Sequence, residues 1–114
     1  MPIRNALASL AVMDIGSAMA WYERLFSRPA DSRPMTEVAE WKFDDGGCLQ
    51  VYERADRAGL GSMTLAVTDI GEQEAHLQQC GIDVSVQSKG PKFKTLMISD
   101  PDGNHIAFAQ AIDS

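Results

Sequence analysis

Residues Ser9-Leu10-Ala11-Val12-Met13-Asp14-Ile15-Gly16 return as Thr64-Leu65-Ala66-Val67-Thr68-Asp69-Ile70-Gly71, with six of the eight positions identical and a spacing of 55 in a chain of 114 residues. Self-similarity at such a period constrains the fold more than composition does, because it means one supersecondary unit used twice. A chain of this length can bury one core but not two independent ones. The expectation is therefore a single domain over 1–114, with module one at about 3–54 and module two at about 60–111. A site is expected where the two modules meet.

Each copy opens with alternating apolar residues and then reaches Asp-Ile-Gly. Asp14 and Asp69 are suited to cap helix N-termini, and Glu72 completes a capping-box pattern after Asp69. Ile15, Ala18, Met19, Tyr22, Leu25 and Phe26 form one apolar stripe at helical period, with Pro29 soon after it. The second stripe is weaker (Ile70, Leu77 and Cys80) and meets Gly81, a suitable residue beyond a helix end. After each helix the period changes to two. Runs 38–43 and 48–53 flank Asp44-Asp45-Gly46-Gly47, and runs 93–99 and 104–110 flank Asp100-Pro101-Asp102-Gly103. Asp-Gly between such runs signals a hairpin. Runs 83–87 and 30–36 supply one further strand each. The fold class is therefore α+β, with one βαβββ unit used twice.

Strand parity separates two faces. Leu10, Val12, Met63, Leu65, Leu49, Val51, Ile106 and Phe108 are bulky or branched and belong under the helices. Leu7, Ser9, Ser62, Thr64, Cys48, Gln50, Tyr52, His105 and Ala107 fall on the opposite, more polar face. A two-residue turn at Asp45-Gly46 pairs Phe43 with Cys48 and Trp41 with Gln50, which adds Trp41 and Phe43 to that face. An apolar concavity with a few polar groups is the usual form of a ligand site. The candidate ligand-binding residues are thus Trp41, Phe43, Cys48, Gln50, Tyr52, Ser62, Thr64 and His105. His76 lies on the second helix and is expected in solvent.

Ten basic residues against sixteen acidic ones leave a formal charge of −6. Nucleic acid and anionic membranes recruit proteins through positive fields, so neither is an expected partner. No run of 18 apolar residues suggests a membrane span. Cys48 and Cys80 lie in different modules without a CxxC spacing, as reduced thiols of a cytoplasmic protein do.

Two further motifs sharpen this reading: Ala18-x-x-Trp21-Tyr22-x-x-Leu25-Phe26 and Asp100-Pro101-Asp102-Gly103-Asn104-x-Ile106. Together with the repeat they resemble the vicinal oxygen chelate superfamily of glyoxalases, bleomycin-resistance proteins and extradiol dioxygenases. The resemblance implies two βαβββ modules whose curved mixed sheets form a cup, with the helices on the outer face. It also implies four metal-ligating positions, usually His or Glu, which fall here on Leu7, Gln50, Ser62 and Ala107. None is an ordinary ligand for the metals such sites hold. The expectation is therefore a protein without metal or other cofactor, close in character to the bleomycin-resistance branch. It would bind or sequester a small organic molecule, cationic or aromatic, as a homodimer. The rival reading is a lyase, isomerase or dioxygenase-like enzyme with an atypical site, in which His105 would serve as the acid–base group. Catalytic residues are not assigned.

Overall fold

The computed structural model describes residues 2–112. Strand β1 (Leu7–Val12) leads into α1 (Ile15–Phe26), followed by β2 (Ser32–Met35), β3 (Val38–Lys42) and β4 (Cys48–Glu53). A short 3-10 turn, Ala55–Arg57, joins this module to its repeat: β5 (Ser62–Ala66), α2 (Ile70–Gln79), β6 (Val86–Lys89), β7 (Phe93–Ser99) and β8 (His105–Ala111). Two four-stranded mixed sheets result, ordered β1-β4-β3-β2 and β5-β8-β7-β6, and they do not close into a barrel. In each sheet the first strand pairs parallel with the last, and the other pairings are antiparallel. β6 lies later in the chain than its pattern suggested, because residues 83–85 precede the ladder.

Both helices start as their sequences dictate. Asp14 accepts a hydrogen bond from Ser17 N at 2.8 Å, and Asp69 accepts one from Glu72 N at 3.1 Å. A second acceptor reaches each N-terminus from the end of the last strand of the same module. Glu53 Oε1 takes the Ile15 N–H, and Gln110 Oε1 takes the Ile70 N–H. These are equivalent positions in the repeat, so each helix is tied to its sheet at the same point. α1 buries Ala18, Tyr22 and Leu25, and α2 buries Leu77. The buried residues of both modules form one continuous core, from Leu10, Tyr22 and Trp41 to Leu77, Ile106 and Phe108.

The β3–β4 register differs by one residue from that read off the sequence. Trp41 pairs with Leu49, Glu40 with Gln50 and Lys42 with Cys48. The turn accounts for the shift. Gly46 N donates to Phe43 O at 3.0 Å, and Phe43 N donates to Gly47 O at 2.9 Å. The loop is therefore the three residues Asp44-Asp45-Gly46, with Gly46 at φ +99°, a conformation that a side chain resists. One extra loop residue exchanges the faces of β3. Trp41 consequently lies in the core with no exposure, its ring 5.9 Å from Tyr22 and 5.6 Å from Phe26, and its indole N–H donates to Arg28 O at 3.1 Å. The expected place of Trp41 in the cup is corrected: it is a structural residue beneath α1.

Candidate binding site

The side of each sheet away from its helix is open. In module one it carries Ser9 from β1, Gln50 and Tyr52 from β4, Val38 and Glu40 from β3, and Ser32 from β2. A hollow of about 390 Å³ lies against this face, walled by Ser9, Pro34, Met35, Val38, Gln50 and Tyr52. Gln50 and Tyr52, two of the residues singled out in the sequence, thus share one concavity. Cys48 follows the same parity on the same strand and is half-buried. Burial pushes its thiol up from the ordinary range, and the neighbouring Glu40 charge adds to that shift. The Cys48 sulfur is thereby kept a thiol rather than a nucleophilic thiolate.

A line of hydrogen bonds crosses all four strands beneath the hollow. Ser9 Oγ donates to Gln50 Oε1 at 3.3 Å, Gln50 Nε2 donates to Glu40 Oε2 at 2.8 Å, and Ser32 Oγ donates to Glu40 Oε1 at 2.9 Å. Glu40 was not among the residues picked from the sequence. The signal for it existed in Asp44-Asp45-Gly46: read as a three-residue loop, it turns Glu40 and not Trp41 toward the open face.

Module two supplies Ser62, Thr64 and His105 on its own open face, all exposed, with Ser62 paired to His105 across β5 and β8. The structure does not gather these with Gln50 and Tyr52 around one hollow. Thr64 instead lines a larger groove, about 820 Å³, between the modules. Phe43 lines the same groove and packs edge-on against Phe26 at 5.5 Å, so its expected place beside Cys48 is corrected by the same register shift. Cys48 and His105 occupy equivalent positions on different sheets and share no hydrogen bond among the described residues. His76 is likewise not free in solvent: it is half-buried, with Nε2 2.8 Å from Leu25 O.

The four positions that the resemblance assigns to metal ligands hold Leu7, Gln50, Ser62 and Ala107. An alkyl chain, a methyl group, a neutral amide and a hydroxyl do not fit a divalent metal that takes imidazole and carboxylate. Among the described residues no group of three or more His, Cys, Asp or Glu side chains is placed to hold a metal ion. No helix among them is long and apolar enough to cross a membrane.

A glyoxalase/bleomycin resistance protein from Catenulispora acidiphila is 30% identical, with 95% of this chain and 98% of that chain covered and a TM-score of 0.86. The chain belongs to the glyoxalase/bleomycin resistance protein family. This places it in the vicinal oxygen chelate superfamily. An antibiotic binding protein from a Streptomyces species shares the fold at 24% identity and a TM-score of 0.82, over 97% of this chain and 98% of that one. So does a lactoylglutathione lyase from Agrobacterium tumefaciens, at 20% identity and 0.77, over 96% and 94%. No family model matches the sequence, and no curated protein does. The glyoxalase/bleomycin resistance fold thus carries both a binding protein and an enzyme, and the side chains of the site must decide between them.

Proposed function

We propose that this family member binds a small organic molecule on its open sheet faces and does not turn it over. The observation that carries the reading is the hollow over module one, where Tyr52, Val38, Met35 and Pro34 give an apolar wall and Gln50 and Ser9 give polar contacts. Tyr52 offers a ring for a planar or cationic group. The substituted metal positions favour binding over the metal-assisted chemistry of the superfamily.

The same reading makes the protein a homodimer in a reducing, cytoplasmic setting. Leu7, Val86 and Phe93, each half exposed or more, lie on the open faces of the sheets, and Met35 walls the hollow at 59% exposure. A second copy laid against those faces would cover them and close the hollows into cups, and twofold pairing is the commonest way to do so. Both cysteines are free thiols.

A thermal-shift screen of planar cationic, neutral and anionic organic compounds tests the function. A ligand at 100 times its Kd should add about 2.7 kcal/mol of stability. Compounds that raise Tm should survive prolonged incubation unchanged by mass spectrometry. Conversion of a stabilising compound would favour the enzyme reading, and a screen with no stabilising compound would count against both. Light scattering showing only monomer at micromolar concentration would remove the dimer.

A further inference from the structure

We propose that the module-one hollow selects a cationic, hydrogen-bond-donating ligand, and that Glu40 sets this selectivity by directing the hydrogen bonds of Ser32, Gln50 and Ser9. The inference rests on the binding function proposed above and names the chemical class of its ligand.

The direction of these hydrogen bonds follows from which atoms can donate. A carboxylate only accepts, so the Gln50 amide must turn its nitrogen toward Glu40. That orientation places Oε1 toward Ser9, whose hydroxyl must then give its proton to Oε1. At the other end the Ser32 hydroxyl gives its proton to Glu40. One carboxylate therefore fixes the direction of every bond across four strands. The groups facing the hollow are left as acceptors: Gln50 Oε1 retains a lone pair, and Ser9 Oγ has committed its hydrogen. Against these two acceptors stands one donor, the second amide hydrogen of Gln50, which bonds no other described group. A ligand seated there meets its best partners if it donates.

Charge points the same way. Among the described residues the ion pairs are Arg28 with Asp31 and Arg54 with Asp56, so Glu40 has no cationic partner. Lys42 shares the open face of β3 and its charge opposes that of Glu40 at Cys48, but it is exposed and makes no bond to Glu40. Glu40 is half-buried, and its field reaches across to β4, where it helps to hold the Cys48 thiol protonated. A partly desolvated carboxylate without a counterion attracts a cation more strongly than one in water. Glu40 is not itself a wall residue of the hollow; it acts through Gln50 and through its field, as a positioning residue.

The test uses a matched pair of fluorescent probes, 9-aminoacridine (cationic) and acridine-9-carboxylate (anionic), titrated against the full chain. The wild type should bind the cation at least about tenfold more tightly than the anion. Glu40→Gln, which keeps the shape but removes the charge and can donate as well as accept, should lower cation affinity about tenfold and leave the anion unchanged or improved. Glu40→Asp should keep the preference for the cation. Wild-type affinity for the cation should fall as salt rises, and that slope should flatten in Glu40→Gln. Thermal melts of both variants report whether the fold is kept. Equal binding of the two probes, or an unchanged preference in a folded Glu40→Gln, overturns the inference while leaving small-molecule binding in place. Failure of the wild type to bind either probe also overturns it, and the wider screen then decides the binding function separately.

Discussion

The two hairpins of this molecule are nearly the same turn put to different uses. Lys42 pairs with Cys48 as Ser99 pairs with His105, so Phe43 stands where Asp100 does and Gly47 where Asn104 does. In each turn the first residue's N–H reaches the last residue's carbonyl at 2.9 Å, and the glycine N–H returns at 3.0 Å. Beyond that the two diverge. Asp100 Oδ2 accepts from the Tyr22 hydroxyl at 2.7 Å and from Asn104 Nδ2 at 2.8 Å. Asn104 also donates to Ala11 O and accepts from Gly61 N, while Asp102 takes the Met13 N–H. The second hairpin is thereby joined to module one by buried polar bonds. The first has no hydrogen bond to module two among the described residues, and the 820 Å³ groove lies between them. Leu77, the repeat mate of Tyr22, has no hydroxyl to offer. Local turn chemistry makes a hairpin; one or two side chains decide whether it is anchored to its neighbour.

The contrast extends into the core, and the largest expected effect lies there. Module one stacks Tyr22, Phe26 and Trp41, where module two has Leu77, Gly81 and Ile98. Trp41→Ala should cost about 4 kcal/mol in denaturant unfolding, whereas Ile98→Val should cost about 1 kcal/mol. Near-equal losses would mean that the aromatic stack contributes nothing special. Next comes the joint itself. Asn104→Ala takes the side-chain partner from Gly61 N, leaves Ala11 O with only its longer bond from Gly59 N, and removes one donor to Asp100, all around a fully buried side chain, at a cost of about 3 kcal/mol. Gly47→Ala, in the corresponding place of the first hairpin, should cost much less, and a reversal of that order would break the comparison.

The smallest effect is that of Tyr22→Phe, about 1.5 kcal/mol from the loss of one buried hydrogen bond. Its pH dependence is the sharper readout. Burial, and then the charge of Asp100, push the Tyr22 hydroxyl well above its ordinary value of 10.0. A group whose folded pKa is raised contributes stability that is complete below the unfolded value and is lost as pH rises beyond it. Wild-type stability should therefore decline above pH 10, and Tyr22→Phe should lack that part of the decline. Identical alkaline limbs would show that the Tyr22 hydroxyl is not held buried beside Asp100 in solution.

The repeat, both helices with their aspartate caps, and the parity of β1, β4, β5 and β8 were legible because each rests on local periodicity. Leu10, Leu49, Val51, Ile106 and Phe108 lie in the core as their alternation demanded. Two things were not legible, for different reasons. The β3 face hung on one loop residue, since Asp44-Asp45-Gly46-Gly47 accommodates a two-residue or a three-residue turn, and the bond from Phe43 N to Gly47 O, together with that from Gly46 N to Phe43 O, selects the latter. That residue took Trp41 and Phe43 out of the expected site and brought Glu40 in. The joint of Tyr22 to Asp100 spans 78 positions and leaves no periodic trace. Of the candidate site, Gln50 and Tyr52 were placed on the wall of a hollow by parity alone. Their partner Glu40 became visible only with the register.

The three-residue tip at 44–46 also governs how such a cup can diversify. It works on β3 as a reading frame works on a message. Deleting one tip residue would leave the strand's sequence intact yet send Val38, Glu40 and Lys42 under α1 and present Ala39 and Trp41 to the ligand. Changes of two residues at the tip preserve the face, whereas changes of one rewrite it. Indels there should therefore survive in even steps, or else found a new specificity in one stroke, from a place that never touches the ligand.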